Sequence, residues 1–135
     1  MQNLQAGFAR LEITPPMGTY LSGYYFERKA EGVLDPLYVL AAAFRCEDTA
    51  AVILTCDVCL VHTDVAMEWT VQIARKLEIP PEAVLLHSTH THTGPVLKGE
   101  TLYPSDPQYD AWLLRRLCDA AALAMADCRT VREVC

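Results

Sequence analysis

Two histidines, His90 and His92, stand one residue apart in the peptide Thr-His-Thr-His-Thr-Gly-Pro at 89–95. This peptide follows the apolar run 83–86 and ends in a Gly-Pro pair, a pattern typical of a buried strand that leads into a loop. If the strand carries both histidines, alternation places their side chains on one face, with Cβ atoms about 7 Å apart. Two neutral imidazoles at that spacing can converge on one metal ion or one substrate.

Asp57 ends another apolar run, 51–57, which predicts a strand buried on both faces. A helical pattern over 64–78 joins this run to the histidine strand, 83–89, so the three form a βαβ unit with parallel strands and a right-handed crossover. Asp57 and the histidines then share the carboxyl edge of the sheet, where ligands bind. Asp57 is predicted to act there either as a further metal ligand or as a carboxylate that holds an imidazole N–H. Thr93 is predicted to offer its hydroxyl to a substrate, although β-propensity alone also explains a threonine in this run.

The remaining elements complete an α/β fold. Strands are predicted at 6–13 and 37–44, and a further strand is predicted from 130 to the last residue. Thr63 or Asp64 is expected to cap the first helix, and Asp106-Pro107 is expected to open a second helix that ends near residue 126. The region 17–34 reads as a long functional loop. The sequence therefore predicts a mixed β-sheet with a βαβ unit and flanking helices, forming an incomplete part of a larger catalytic domain.

Composition narrows the class of protein. The chain has 135 residues, of which 52% are hydrophobic and 21% charged, so it is globular rather than disordered. The net charge of −6 and the lack of a basic patch argue against nucleic-acid binding. No apolar run approaches the length of a membrane span, and the N-terminus has neither a basic nor an apolar signal region, which favours a cytoplasmic protein.

Cysteine spacing gives a weaker signal. Cys56 and Cys59 have the spacing of a redox motif, but the strand-like run continues through them, whereas a thioredoxin-type pair opens a helix. We expect both thiols to be reduced and buried, on opposite sides of one strand.

Several blocks of the sequence resemble the N-terminal catalytic region of neutral/alkaline non-lysosomal ceramidases and their leaderless bacterial relatives. The most specific block is the peptide at 88–95, which includes both histidines. Others precede it in matching order: Gly-Phe-Ala-Arg at 7–10, Ile-Thr-Pro-Pro at 13–16, Leu-Ser-Gly-Tyr at 21–24, Asp-Pro-Leu-Tyr at 35–38, Cys-Asp at 56–57 and Ile-Pro-Pro-Glu at 79–82.

The resemblance implies a zinc-dependent amidase that splits the N-acyl bond of ceramide or a related lipid amide. It implies that His90 is a zinc ligand and that His92 lies beside the metal and contacts substrate or water. The family's remaining ligands and its active-site serine would lie beyond residue 135. Zinc in such a site polarises the substrate carbonyl and activates water.

Two alternatives stay open at the level of the sequence. His-x-His after a strand also opens the metal site of TIM-barrel amidohydrolases, although there the motif usually ends the first barrel strand. The chain could also be a binding module without activity. If the chain is a fragment of a larger enzyme, the 135 residues alone are expected to be inactive. Its terminal strand would then lack a partner, which is expected to cause self-association.

Overall fold

A computed structural model describes residues 4–133 and shows five strands and two long helices. The strands are β1 (Gln5–Glu12), β2 (Tyr38–Cys46), β3 (Thr49–Cys56), β4 (Val84–Ser88) and β5 (Arg129–Thr130). The helices are α1 (Thr63–Leu77) and α2 (Pro107–Ala126), and a short 3-10 turn at Pro81–Ala83 leads into β4. The predicted class, α/β with a mixed sheet and a βαβ unit, is confirmed.

All five strands form one sheet in the order β4-β3-β2-β1-β5. β1, β2 and β3 form an antiparallel meander, and β5 pairs antiparallel with the outer edge of β1. β3 and β4 are parallel, because α1 carries the chain back across the sheet between them. This open mixed sheet in residues 4–133 excludes the TIM-barrel alternative, whose strands are all parallel and closed into a ring.

One face of the sheet and both helices enclose a single core. β2 and β3 contribute small and branched side chains to it, and the helices contribute larger ones. Its fully buried members include Val39, Ala43, Val52, Leu54, Ile73, Leu113 and Leu117. The opposite face carries a row of paired residues, Phe8, Ala42, Ile53 and Leu85, of which the first is 64% exposed. Within the described residues, the sheet is therefore covered on one side.

The helix ends follow local rules with one correction. Asp106 caps α2 by accepting hydrogen bonds from the backbone N–H groups of Gln108 and Tyr109, and Pro107 occupies the first turn, as predicted. The predicted cap of α1 is wrong, because the N-cap residue is His62, whose side chain makes no capping bond.

Three predicted segments also need correction. β4 ends at Ser88, so the histidines lie in the loop after the strand and not on it. The region 17–34 is not a plain loop, since residues 18–30 form a small hairpin in which Tyr20 and Lys29 pair. The terminal segment does have a partner, because β5 pairs with β1 and the Val131 N–H bonds to the Leu4 carbonyl at 2.8 Å. Cys135, the predicted end of that strand, lies outside the described residues.

Between residues 4 and 133 we find no helix with both the length and the apolar character needed to cross a bilayer.

The first prediction concerns Gly7, where β1 meets the end of α2. A Cβ at this position would lie 2.1 Å from the Ala124 carbonyl oxygen and 2.6 Å from the Cys128 nitrogen. These are backbone atoms that cannot turn aside, so we expect Gly7→Ala to lower the free energy of unfolding by about 3 kcal/mol or more. Urea denaturation measures the loss.

Gly32→Ala is the matched control, because a Cβ there meets no atom within 4 Å. It should leave stability unchanged or raise it by about 0.5 kcal/mol, by restricting the unfolded chain. Equal stability of the two variants would contradict the close packing of α2 on β1.

Candidate metal-binding site

The carboxyl ends of the parallel strands β3 and β4 extend into two loops that lie side by side. Beyond β3 the chain turns sharply, with the Val58 N–H bonded to the Cys56 carbonyl at 2.9 Å. Beyond β4 the Thr89 N–H bonds to the same carbonyl at 3.0 Å, and the His90 N–H bonds to the Val58 carbonyl at 3.1 Å. These bonds continue the parallel pairing past the strands and fix where His90 leaves the sheet edge.

His90 adopts a left-handed backbone conformation, with φ of 62°. Only a small fraction of residues other than glycine do so, and the conformation needs support from its surroundings. It reverses the chain after β4 and brings His92 back beside His90, with ring centroids 4.9 Å apart. The predicted convergence of the two imidazoles is therefore correct, but a turn produces it and not the alternation of a strand.

Hydrogen bonding decides which nitrogen of His90 is free. Its Nδ1 lies 2.7 Å from the Cys59 carbonyl oxygen, which can only accept, so Nδ1 carries the proton. In the neutral ring Nε2 then has a free lone pair, and this atom lies 3.3 Å from Nε2 of His92. An imidazole whose second nitrogen is bound to a backbone carbonyl is the arrangement found in metal-ligating histidines.

The distance between the two Nε2 atoms suits one metal ion. Two nitrogens bound tetrahedrally to zinc at about 2.05 Å lie about 3.3 Å from each other. Without a metal, the same distance is that of a long N–H···N hydrogen bond from His92 to His90. The pair therefore fits zinc with little movement of either ring.

Cys59 is the third member of the only group of metal-binding side chains found among residues 4–133, together with His90 and His92. The three ligand atoms lie within 4.8 Å of one another, a limit that includes the S–N separation of about 3.5 Å in a closed zinc site. Cys59 Sγ lies 3.8 Å from Nδ1 of His90, the nitrogen that already donates to the Cys59 carbonyl. Cys59 therefore acts on the site through its backbone carbonyl, and its thiol is a candidate third ligand.

Cys56 and Cys59 are both buried free cysteines, as predicted. The strand does not continue through them, however, because β3 ends at Cys56 and the turn at Val58 follows. Burial, and then the nearby charge of Asp57, raise the pKa of the Cys56 thiol to about 12, so it stays protonated at neutral pH. Nothing in this geometry resembles a redox-active pair.

Asp57 lies at the same sheet edge but outside the Cys59–His90–His92 group. Its Oδ2 accepts the Tyr38 N–H at 2.9 Å, and its own N–H bonds to the Tyr38 carbonyl at 2.9 Å. Asp57 thus fixes the start of β2 against the end of β3. It also lines a neighbouring cavity, so its predicted part in the chemistry stays a prediction with a structural role beside it.

The cavity next to the histidines has a volume of about 850 Å³. Asp57, Thr91 and Thr93 line its side nearest the sheet edge, and residues 27–37 form the opposite wall. Thr93 is exposed, and its hydroxyl lies 2.8 Å from that of Thr91. Thr93 is placed where a substrate hydroxyl or carbonyl in the cavity would reach it, and its predicted role stays a prediction.

No pattern in the sequence predicts that the hairpin at 18–30, the cover hairpin, packs on the site. The cover hairpin is joined to the segment after the histidines by backbone contacts of residues 20–22. Leu21 pairs with Pro95, and the Ser22 N–H bonds to the Gly94 carbonyl at 3.0 Å. The Val96 N–H returns a bond of 2.8 Å to the Tyr20 carbonyl. Gly23 and Tyr24 then contact His92 itself, with the Tyr24 ring 5.6 Å from the imidazole in an edge arrangement.

Glu100 is a second residue missed by the sequence analysis. Its carboxylate accepts hydrogen bonds from the hydroxyl of Ser22, a side chain that is 2% exposed, and from the Leu97 N–H at 2.9 Å. Glu100 thus ties the cover hairpin to the chain beyond the histidines. Ser22 lies in the block at 21–24, but nothing in the sequence links that block to Glu100, and only their tertiary contact reveals the pair.

Comparisons with known proteins were made by family model, by sequence and by structure. No family model matches the chain, and no curated protein matches it in sequence. Solved structures do match. Neutral ceramidase from Pseudomonas aeruginosa superposes with a TM-score of 0.82 at 17% identity, over 96% of this chain and 22% of the solved chain. A ceramidase complexed with C2 superposes with a TM-score of 0.75 at 18% identity, with the same coverage.

These matches define the class of fold: an α/β unit of the kind found within a larger hydrolase chain. In particular, the fold is that of one part of neutral ceramidase, which confirms the resemblance noted in the sequence at the level of the fold. The chain spans about a fifth of the length of the solved chains it matches, 22% in each case.

The second prediction tests the contact between the cover hairpin and His92. Gly23 has φ of 93°, and a Cβ there would lie 2.5 Å from Cγ of His92. We expect Gly23→Ala to displace the imidazole as well as to strain the backbone, by about 1–2 kcal/mol. NMR spectra of the ring carbons and nitrogens of His92 report its displacement.

Gly18→Ala separates the two effects, because Gly18 has a similar φ of 81° but its Cβ would meet nothing within 4 Å. Gly18→Ala should lower stability by the backbone strain alone, about 1–2 kcal/mol, and its His92 signals should match those of the unchanged chain. If the His92 signals stay unchanged in Gly23→Ala too, the hairpin does not position this ring.

Proposed function

We propose that this chain is the metal-binding part of a zinc-dependent amidase of the neutral ceramidase type. Its substrate would be an N-acyl amide, either ceramide or a related lipid amide. The observation that carries the proposal is the pair of Nε2 atoms at 3.3 Å, with Nδ1 of His90 held by a backbone carbonyl, at the carboxyl edge of a ceramidase-like fold. The structural matches support the fold, and the two nitrogen donor atoms support metal binding.

Each site residue has a role in this proposal. His90 binds zinc through Nε2. His92 lies beside the metal and presents Nε2 to substrate or water. Thr93 binds the substrate from the cavity wall, and Asp57 holds the sheet edge under the site and faces the cavity.

Zinc, when bound, would act as a Lewis acid on the carbonyl of the scissile amide. Groups of the protein itself hold the two imidazoles in position. The Cys59 carbonyl keeps the Nδ1 proton of His90 in place, so the ring cannot change tautomer while Nε2 is in use. His92 is held between Gly23, Tyr24 and His90, which leaves its Nε2 able to accept or donate a proton at one defined position.

A catalytic zinc site takes three protein ligands and keeps one open position. His90 and His92 supply two imidazoles at most, and the contact of the Cys59 thiol at 3.8 Å is with Nδ1 of His90, the nitrogen that does not face the metal in this proposal. Since the matched ceramidase chains are more than four times longer, we propose that further ligands come from other parts of a larger protein. The predicted assignment of residues 1–135 to the N-terminal part of a catalytic domain belongs to this proposal, as does the cytoplasmic location.

A second candidate is a metal-binding module without catalysis. The Cys59–His90–His92 group favours it, because one thiol and two imidazoles can hold a soft or borderline ion without any substrate. The two candidates share the metal and differ in turnover.

The third prediction tests the metal. His90→Ala should raise the dissociation constant for zinc by at least about tenfold, since it removes the imidazole that binds the metal in this proposal. Isothermal titration calorimetry with Zn²⁺ and zinc analysis after dialysis measure this. His87→Ala is the control, because His87 is exposed on the outer face of β4 and lies outside the cluster. Equal zinc affinity in both variants would rule out His90 as a ligand.

The fourth prediction tests the reaction. The 135-residue chain with added zinc should not hydrolyse a fluorescent ceramide, whereas protein expressed from the complete gene should do so and should lose the activity in His90→Ala. Chromatography of the released fatty acid gives the rate. Zinc binding without hydrolysis by the complete protein would favour the module over the amidase. Turnover by residues 1–135 alone would show that the site needs no further ligands.

A further inference from the structure

The tip of the cover hairpin carries two exposed aromatic side chains. Tyr25 is 97% exposed and Phe26 is 61% exposed. Exposed apolar side chains that lie close together can mark an interaction site, and the Phe26 ring lies 5.4 Å from that of Tyr24. These residues follow Gly23 and Tyr24 directly, the two that contact His92. The exposed tip is therefore fixed beside the histidine pair.

More apolar side chains stand on the rim of the cavity next to the site. Leu34 is fully exposed at 101%, Met17 is 53% exposed and Val33 is 48% exposed, yet all three line the cavity mouth. Tyr25 and Phe26 directly precede Glu27, which lines the same cavity, and with these three residues they are called the apolar rim (residues 17, 25, 26, 33 and 34). All five lie outside the helices and strands, and exposed apolar side chains with this placement suit insertion between lipid headgroups.

The charges around the rim indicate the kind of lipid surface. Residues 25–35 contain two basic and three acidic side chains. Both cations are already engaged: the Arg28 guanidinium lies 4.3 Å from the centre of the Tyr24 ring, and the Lys29 ammonium lies 4.5 Å from that of Tyr20 and 3.6 Å from Glu27. Within residues 25–35, all of which the structure describes, acidic side chains outnumber basic ones, and the whole chain carries a net charge of −6. An anionic lipid surface would therefore repel this region, whereas a zwitterionic surface would not.

We propose that the apolar rim docks the protein on a zwitterionic lipid surface, with Tyr25 and Phe26 inserted among the headgroups and the cavity mouth facing the lipid. A tyrosine and a phenylalanine suit this boundary, since their rings are apolar and the tyrosine hydroxyl can stay in water. The inference rests on the proposed function, because a lipid amide lies in a membrane and must reach the histidines from there. Docking at the rim would deliver it to the cavity without passage through water.

The open face of the sheet is the main alternative surface through which the chain could bind lipid. Phe8 and Leu85 are exposed there, at 64% and 57%, and belong to the row across the sheet. That face is broad and regular and shares no lining residue with the cavity beside the histidines. A lipid surface that bound the open face would contact Phe8 and Leu85 instead of the rim residues, so paired substitutions can separate the two surfaces.

The test is sedimentation of the 135-residue chain with phosphatidylcholine vesicles, without metal or substrate. We expect weak, reversible binding, with a partition constant of about 10⁴ M⁻¹ at most, the value of a single acyl chain. The double variant Tyr25→Ser/Phe26→Ser should bind at least about tenfold less. The matched variant Phe8→Ser/Leu85→Ser should bind like the unchanged chain. Since all four side chains are exposed, circular dichroism should show unaltered folding.

Three results would overturn the inference: equal binding by the tip variant, loss of binding only in the sheet variant, or binding that requires phosphatidylserine in the vesicles. A second measurement locates the tip directly. Tyr25→Trp should show quenching of its tryptophan fluorescence by brominated phosphatidylcholine, beyond that of the unchanged chain with Trp69 and Trp112. No added quenching would also overturn it.

The assay keeps this inference separate from the proposed function. If zinc binding depends on His90 but the chain does not bind vesicles, the lipid-docking role of the rim is refuted and the proposed metal site stands. Vesicle binding through the tip, with zinc affinity unchanged in His90→Ala, would support the docking surface and remove the metal role of His90.

Discussion

The backbone of residues 56–59 is the structural element on which the site depends. Its carbonyl groups accept three hydrogen bonds in succession: from the Thr89 N–H, from the His90 N–H and from Nδ1 of His90. The first two place the loop after β4, and the third selects the tautomer of the ring. Because all three acceptors belong to one turn at the end of a buried strand, the position of His90 depends on the core beneath it. A left-handed residue at 90 is tolerated in this setting, where the surrounding bonds leave the backbone little alternative.

The second imidazole, that of His92, is positioned by the cover hairpin. The cover hairpin crosses over the segment after the histidines, pairs with it at Leu21 and Pro95, and is tied to it by Ser22 and Glu100. Glycine at 23 is required twice, since the backbone is left-handed there and the His92 ring fills the space of a side chain. His90 is thus held by the sheet edge and His92 by the hairpin. The distance between their nitrogens is set by how the hairpin packs on the sheet.

This arrangement joins three features that a lipid amidase would need. The histidine pair offers two nitrogens at the separation of zinc ligands, a cavity of about 850 Å³ lies beside it, and apolar side chains surround the cavity mouth. The same hairpin carries the exposed tip and contacts His92, so docking and chemistry would share one rigid element. The open face of the sheet lies apart from these features, and its row from Phe8 to Leu85 has no cover among the described residues.

Much of this was determined by the sequence alone. Apolar runs and helix signals predicted the βαβ unit and the mixed sheet, because burial and capping are local patterns. The motif at 88–95 pointed to His90, His92 and the fold of a neutral ceramidase. Tertiary structure decided the rest. The histidines meet through a turn at His90 that no alternation rule foresees, and Asp57 is occupied by Tyr38 rather than joined to the imidazoles. The cover hairpin reaches the site across many residues of intervening chain, as does the contact between Ser22 and Glu100, and contacts of that range leave no periodic trace in a sequence. They arise from packing, which depends on the positions of all the elements at once.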